Sequence, residues 1–276
     1  MKQINFDSAF QEHMTAWVSE HAAEYGNNYD RLEERMPEVY LQWLNTPASW
    51  LNGATPGTYF SQFDDGEKLL SWMVAYFRDQ VPVPDQLLER ITDLGESTEP
   101  GLLALLTDKG APEDARLTAI TLLAEMQSIK PMALYIGWIA ARSDADERAD
   151  MAAEALVSMG RAVVMPVLAA VDNASAAGRE TLLDVLCNFP GEDAILALAL
   201  AMFAERSNAR ALFGSFLGKL GDPRAIEPLR AALNDPDLGY LDYIELRNAL
   251  EALGGDAPPE RSFDGDPYYE SLRRME

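Results

Sequence analysis

Basic residues are scarce in this chain. Lys and Arg together number 22 against 45 Asp and Glu, a formal net charge of −23 over 276 residues. Acidic residues outnumber basic ones in every third of the sequence, and no cationic run occurs. Proteins hold nucleic acid by neutralising phosphates with Lys and Arg. DNA, RNA and anionic membrane surfaces are therefore not expected as partners. Cysteine is almost missing as well. The lone Cys187 excludes an internal disulfide framework and a zinc site built from several thiolates, and it fits a cytoplasmic location. Histidine occurs only at positions 13 and 21, whereas a helical metal pair needs a spacing of four. No metal and no cofactor are expected.

Long apolar runs are absent too. The best, Ala194 to Ala204, is about half of the ~20 residues that span a bilayer. Met1 through Asp7 shows no apolar core and no small-residue cleavage site, so neither a signal peptide nor a membrane span is expected. Strand signals are thin: period-2 alternation is nowhere sustained, while apolar residues recur at i, i+3, i+4 and i+7 throughout. The class is all-α. No nucleophile elbow, phosphate-binding loop, dinucleotide fingerprint or H-E-x-x-H occurs, so no catalytic residue is assigned. Asp64-Asp65-Gly66-Glu67 and Asp264-Gly265-Asp266 do not continue into a calcium loop. Asp64 or Asp65 is read as a helix N-cap, and the second segment as a turn before a helix.

What the chain does have is a repeat. Six helices end alike, at Leu94, Met126, Met159, Phe189, Leu220 and Leu253, spaced 30 to 33 residues apart. Gly95, Gly160, Gly221 and Gly254 follow four of them, and Pro190 follows another. Gly supplies the left-handed position after a helix, and Pro stops propagation. Each of these second helices (B) follows another apolar helix (A): Lys68–Phe77, Leu102–Leu106, Met132–Ala141, Val163–Val171, Ala194–Phe203 and Ala225–Leu233. A hairpin of this size cannot bury its own apolar face, and stacking neighbours solves that problem. The expectation is a right-handed α-solenoid of about six hairpins, with repeats at 63–95, 96–127, 128–160, 161–190, 191–221 and 222–255.

Ten residues before the last apolar residue of helix B stand Arg116, Arg179 and Arg210. The third repeat has Ala149 there with Arg148 beside it, and the sixth has Tyr243. Arg is disfavoured at a helix start by the dipole. A structural role is expected, the guanidinium bonding loop carbonyls or a carboxylate in the adjoining turn. The run Leu220-Gly221-Asp222-Pro223-Arg224-Ala225-Ile226-Glu227-Pro228-Leu229 through Asp237, preceded by Arg210 to Leu220, resembles the HEAT-like repeat of the bilin-lyase type. That resemblance implies a HEAT-like fold and a binding role. It carries over no catalytic residue, because Gly221, Asp222, Pro223 and the repeated Arg build the repeat itself. Some members attach tetrapyrroles to proteins, and some HEAT-like solenoids excise damaged bases. The charge disfavours the second activity.

Residues 1–62 do not fit the period and read as an aromatic helical cap. Asp7 or Ser8 is expected to cap a helix reaching about Tyr25, with Phe10, Met14, Trp17, Val18 and His21 on its apolar face. Gly26-Asn27-Asn28 breaks it, and a second helix is expected from Tyr29 to Leu44. Residues 256–276 read as a tail folding back through Phe263, Tyr268, Tyr269, Leu272 and Met275. Solenoids need such covers over their last repeats.

The B helices of such solenoids line the concave face. Their solvent-facing slots, nine and five residues before the last apolar residue, hold Asp85/Glu89, Leu117/Thr121, Asp150/Glu154, Glu180/Asp184, Ala211/Ser215 and Ile244/Asn248. Three of the six pairs are two carboxylates, and none holds a base. Carboxylates in a first turn suit the helix dipole, which accounts for Asp85, Asp150 and Glu180 but not for Glu89, Glu154 and Asp184 one turn on. Like charges at i, i+4 cost a few tenths of a kcal/mol. The expected function is a non-enzymatic protein-binding adaptor or scaffold, monomeric, with an acidic concave surface that steers a basic partner. Leu117, Ile244 and Leu183 are the expected apolar anchors. Two alternatives stand beside it: a bilin-lyase-like activity, and a small-molecule pocket among the cap aromatics Trp17, Trp43, Trp50 and Tyr59.

Overall fold

The computed structural model describes residues 3–24, 29–143, 145–256, 258–259 and 261–274. The expected break at Gly26-Asn27-Asn28, Ala257 in the tail and the tail residue Met275 lie outside them. Among the described residues there are sixteen α-helices and no strand, as the periodicity predicts. The chain forms two compact units, 1–128 and 129–276. The N-terminal aromatic segment shares the first unit with the first two repeats.

In the first unit, α1 (Phe6–His21), α2 (Tyr29–Glu33) and α3 (Met36–Leu44) precede three 3-10 turns. Then come α4 (Gly66–Arg78), α5 (Asp85–Asp93), α6 (Glu99–Leu105) and α7 (Glu113–Glu125). The cap of α1 is Asn5, whose side chain accepts from Ser8 N, rather than Asp7 or Ser8. The single helix expected from Tyr29 is two, because Pro37 near the start of α3 cannot continue a preceding helix. Asp65 caps α4, while Asp64 pairs with Arg90. The cap core is aromatic: Phe6, Trp43, Tyr59 and Phe60 are buried, and Phe6 contacts the other three rings. Tyr76 of α4 donates its hydroxyl to Ile4 O at 2.9 Å and so ties the chain start to the first repeat. Helix A packs on helix A (α4 on α6) and helix B on helix B (α5 on α7), the stacking that lets hairpins share one core.

The second unit holds α8 (Met132–Ala141), α9 (Glu147–Ser158), α10 (Val164–Val171), α11 (Ala176–Leu186), α12 (Asp193–Glu205), α13 (Arg210–Leu220), α14 (Ile226–Leu233), α15 (Tyr240–Ala252) and α16 (Pro267–Arg273). Again α8 packs on α10, α9 on α11 and α13 on α15. The last of these contacts depends on two glycines one turn apart. A Cβ at Gly214 would collide with the Leu246 side chain, and one at Gly218 would sit 3.1 Å from Ala249 Cα, so these positions let α13 and α15 approach closely. α15 begins at Tyr240, one turn before Ile244, because Asp266 from the tail accepts Tyr240 N–H at 3.0 Å. The left-handed residues fall where the repeat places them: Gly95, Gly160, Gly221 and Gly254 all have φ between 53° and 80°. In the second repeat the non-glycine Gln127 takes that conformation, with φ 56°.

The repeated arginines divide. Arg210 pairs with Asp235 in the adjoining turn, as expected. Arg116, Arg148 and Arg179 each leave a buried Nε without a hydrogen-bond partner, and Arg148 stacks over Trp138 with 4.8 Å from its guanidinium carbon to the ring centre. In the sixth repeat, where Tyr243 fills the slot, Arg261 of the tail substitutes. It lies over the Tyr243 and Phe263 rings and donates to the carbonyls of Asp235 and Leu238. The tail therefore folds back as expected, with Phe263 and Tyr269 packed on Tyr240. Around Gly221, Asp222 caps the next turn through Arg224 N, Pro223 opens that turn, and Arg224 bridges Asp222 to Asp193 of α12.

Candidate functional site

The slots read from the B helices converge in the second unit. A groove of about 650 Å³ runs over α9, α11 and α13. From α9 come Asp150, Ala153, Glu154 and Val157; from α11 come Glu180, Thr181, Asp184 and Val185. From α13 come Leu212, Phe216 and Lys219, and Arg142 projects from the end of α8. All four slot carboxylates of the third and fourth repeats thus line one surface. Between them lies a strip of Ala153, Val157, Val185, Leu212 and Phe216, where Leu212 is 38% exposed.

Most of the acid in this groove is already answered. Arg142 pairs with Asp150 at 2.7 Å and also donates to the Thr181 hydroxyl. Arg206 pairs with Glu180 at 2.9 Å, and Lys219 with Asp184 at 2.7 Å. The slots themselves hold no base, yet three cations from other positions reach them. Glu154 is exposed, and among the described residues it has no ion pair or hydrogen bond. The groove is a mixed-charge surface with one unmatched carboxylate, less acidic than the slots alone suggest. The Arg206–Glu180 and Lys219–Asp184 pairs are partly exposed and each worth about 0–1 kcal/mol, so an incoming charge can exchange into them, whereas the Arg142 side chain is only 11% exposed.

The remaining predicted residues lie elsewhere. Leu183 is fully buried: one residue before Asp184 on a helix is a turn of about 100°, which points it into the core, so it is no surface anchor. Leu117 and Ile244 are half-buried and do not line the groove. Glu89 is exposed, and Asp85 lines a smaller pocket of about 220 Å³ in the first unit. Of the cap aromatics named from sequence, Trp43 lines that pocket, together with Phe6, Phe10 and Tyr40. Trp17 instead stacks on His21, whose Nδ1 lies 2.8 Å from Trp17 O. Cys187 is buried, and burial pushes its thiol up to about 12, with the Asp184 charge adding to the effect and Lys219 opposing it.

Among the described residues no three His, Cys, Asp or Glu side chains gather in a way that could hold a metal ion. Among them, too, no helix is long and apolar enough to cross a membrane. Sequence reasoning missed Arg142, Arg206 and Lys219, because they lie outside the slots that the repeat register selects.

Comparison with known proteins adds one similarity. No curated protein matches the sequence. Residues 209–235 match the PBS lyase HEAT-like repeat, a stretch that takes in α13 and α14. The chain is thus a helical repeat protein with a HEAT-like unit whose two ends are tied together by the Arg210–Asp235 ion pair.

Proposed function

We propose that the protein is a non-enzymatic binding protein whose groove over α9, α11 and α13 holds a segment of a partner protein. The observation that carries this is the convergence of Asp150, Glu154, Glu180 and Asp184 around an apolar strip in one open groove. The partner segment would bring apolar side chains to Leu212 and Phe216 and a basic residue to Glu154. Apolar burial supplies the affinity, at ~25 cal/mol per Å² before association costs. The unmatched Glu154 steers the encounter and makes it salt-sensitive. Cytoplasmic residence and a monomeric state belong to the same reading, the first supported by the single buried cysteine.

The test is selection of peptides from a random displayed library. Counter-selection uses an Ala153→Arg, Leu212→Arg variant that fills the groove. Enriched peptides should combine a basic residue with neighbouring apolar ones. Their binding should weaken as salt rises and fall about tenfold in Glu154→Lys. Peptides that bind the filled variant equally well would rule the groove out.

A further inference from the structure

The groove lies where the stacking of the second unit is interrupted. α9 packs on α11, α8 on α10 and α13 on α15, the last pair drawn close by Gly214 and Gly218. Among the described residues, α11 does not lie against α13 in this way, nor α10 against α12. The fourth and fifth repeats are joined instead through α12, which packs on both α11 and α13. The turn at 188–192 links them, and its Gly191 takes φ 98°. Arg161 anchors that turn: it donates to Pro190 O at 2.6 Å and pairs with Glu192 at 3.3 Å.

Two ion pairs cross from one repeat to the other along the groove, Arg206–Glu180 at 2.9 Å and Lys219–Asp184 at 2.7 Å. On α11, Asp184 stands about one helical turn before the 188–192 turn and Glu180 about two. Parting of the helices about that turn therefore opens the Arg206–Glu180 pair furthest. While both pairs are closed, the apolar side chains of the groove are poorly reached: Val185 is 1% exposed and Phe216 8%. A partner that is to bury apolar groups on Phe216 needs α11 and α13 to separate. Apolar packing is non-directional and permits sliding or tilting of helices, and partly exposed ion pairs exchange readily.

We infer that the junction between the fourth and fifth repeats is a hinge latched by the Arg206–Glu180 and Lys219–Asp184 pairs. A partner's basic residue opens it by taking over a latch carboxylate, which uncovers Phe216 and Val185. This rests on the groove being the binding site, as proposed above. A ligand shifts such an equilibrium only through unequal affinity for the two forms, and the uncovered apolar surface supplies that difference. The test places spin labels on the full chain at Ser158→Cys and Ser215→Cys, exposed positions of α9 and α13. A second labelled pair, Ser215→Cys with Asn248→Cys, reports the closely packed α13–α15 junction as a control. Distances are read by pulsed electron resonance at about 0.1 M and about 1 M salt, between which the Debye length falls from about 10 to about 3 Å. In Arg206→Ala, Lys219→Ala a longer distance across the groove should gain about two- to thirtyfold in population. High salt should act in the same direction, and the control distance should stay fixed. If the double variant melts well below the parent, Arg206→Gln, Lys219→Gln keeps most of each side chain and replaces it. Groove-specific peptides from the displayed library should lengthen the first distance in the parent and bind more tightly to the unlatched variant. Distances that stay fixed in the variant and in salt, or that move equally at both junctions, would overturn the hinge. Groove-specific peptides that leave the first distance unmoved would overturn it too, while the binding reading stands. A library that yields no such peptide removes the binding reading instead, and the variant and salt arms still decide the hinge.

Discussion

Lys219 of α13 reaches across to Asp184 of α11, with Nζ 2.7 Å from Oδ1. A carboxylate that the B-helix register points at solvent is thereby matched by a cation from the next repeat. Arg206 does the same for Glu180, so two ion pairs tie the fourth repeat to the fifth along one wall of the groove. The charge of this groove is set between repeats as much as within them.

Removing that cation separates its structural share from its effect on binding. The Lys219 and Asp184 side chains are 38% and 47% exposed, and a pair of this kind contributes only about 0.2–1 kcal/mol. Lys219→Ala should therefore shift the melting temperature by a few degrees at most. The freed Asp184 should strengthen capture of basic peptides and steepen its salt dependence. Calorimetric titration at two ionic strengths reads both, and weakened capture would contradict the assignment.

How far the sequence reached depends on which kind of contact fixes each feature. The Met132–Ala141 helix was legible to the residue, because apolar periodicity and a neighbouring proline are local signals. Gly221 and its left-handed φ of 72° were legible for the same reason. Pro37 marks the split between α2 and α3, a signal that the reading of one helix from Tyr29 to Leu44 did not use. The partners of the slot carboxylates were not readable. Arg206–Glu180 and Lys219–Asp184 join residues 26 and 35 apart, separations that no helical period selects. Leu183 shows the limit of register arguments: a shift of one residue exchanges surface for core.

Gly178 should be the least replaceable residue of α11. A Cβ there would lie 2.5 Å from Ile139 O and 2.8 Å from Ala140 O. Both are main-chain atoms of α8, so relief requires the two helices to separate. Gly178→Ala should cost about 1–3 kcal/mol, despite the better helix propensity of Ala. Denaturant unfolding should show a lower midpoint with an unchanged slope.

Cys187 should be silent in the folded protein. It is 1% exposed, and burial holds its thiol at about 12, well above the ordinary value. The thiolate is the reactive form, so labelling by a disulfide reagent at pH 8 should proceed only through opening of the second unit. Its rate should rise with denaturant and reach the free-thiol rate on unfolding. The raised value also fixes a sign. The folded state keeps a proton that the unfolded state releases near pH 8.5, so this group's contribution falls as pH rises above that value.

Asp266 should make the tail acid-sensitive. Its Oδ1 accepts from Tyr268 N and Tyr269 N, while its Oδ2 accepts from Tyr240 N, so one carboxylate caps α16 and the start of α15 together. These backbone N–H groups hold its carboxyl below the usual range. A depressed folded value means stability that is present above the unfolded Asp value of about 3.9 and lost as pH falls through the folded one. Asp266→Asn keeps one acceptor oxygen and must release one helix start. Its tail amides should exchange faster at neutral pH than the parent's, with less further change on acidification.

Gln127 should be improvable. It takes the left-handed position that Gly95, Gly160, Gly221 and Gly254 take after their B helices, with φ 56°. A side chain with a Cβ is strained there by about 1–2 kcal/mol, whereas glycine enters that region freely at some cost in unfolded-chain entropy. The Gln127 side chain is exposed, so little packing is lost on its removal. Gln127→Gly should raise stability by about 0.5–1 kcal/mol, read as a higher denaturant midpoint. The same replacement at exposed Glu125, the last residue of α7, falls where the backbone is still helical and should lower it. Opposite signs from two glycines placed two residues apart would separate the backbone requirement of the repeat end from any general effect of glycine on this chain.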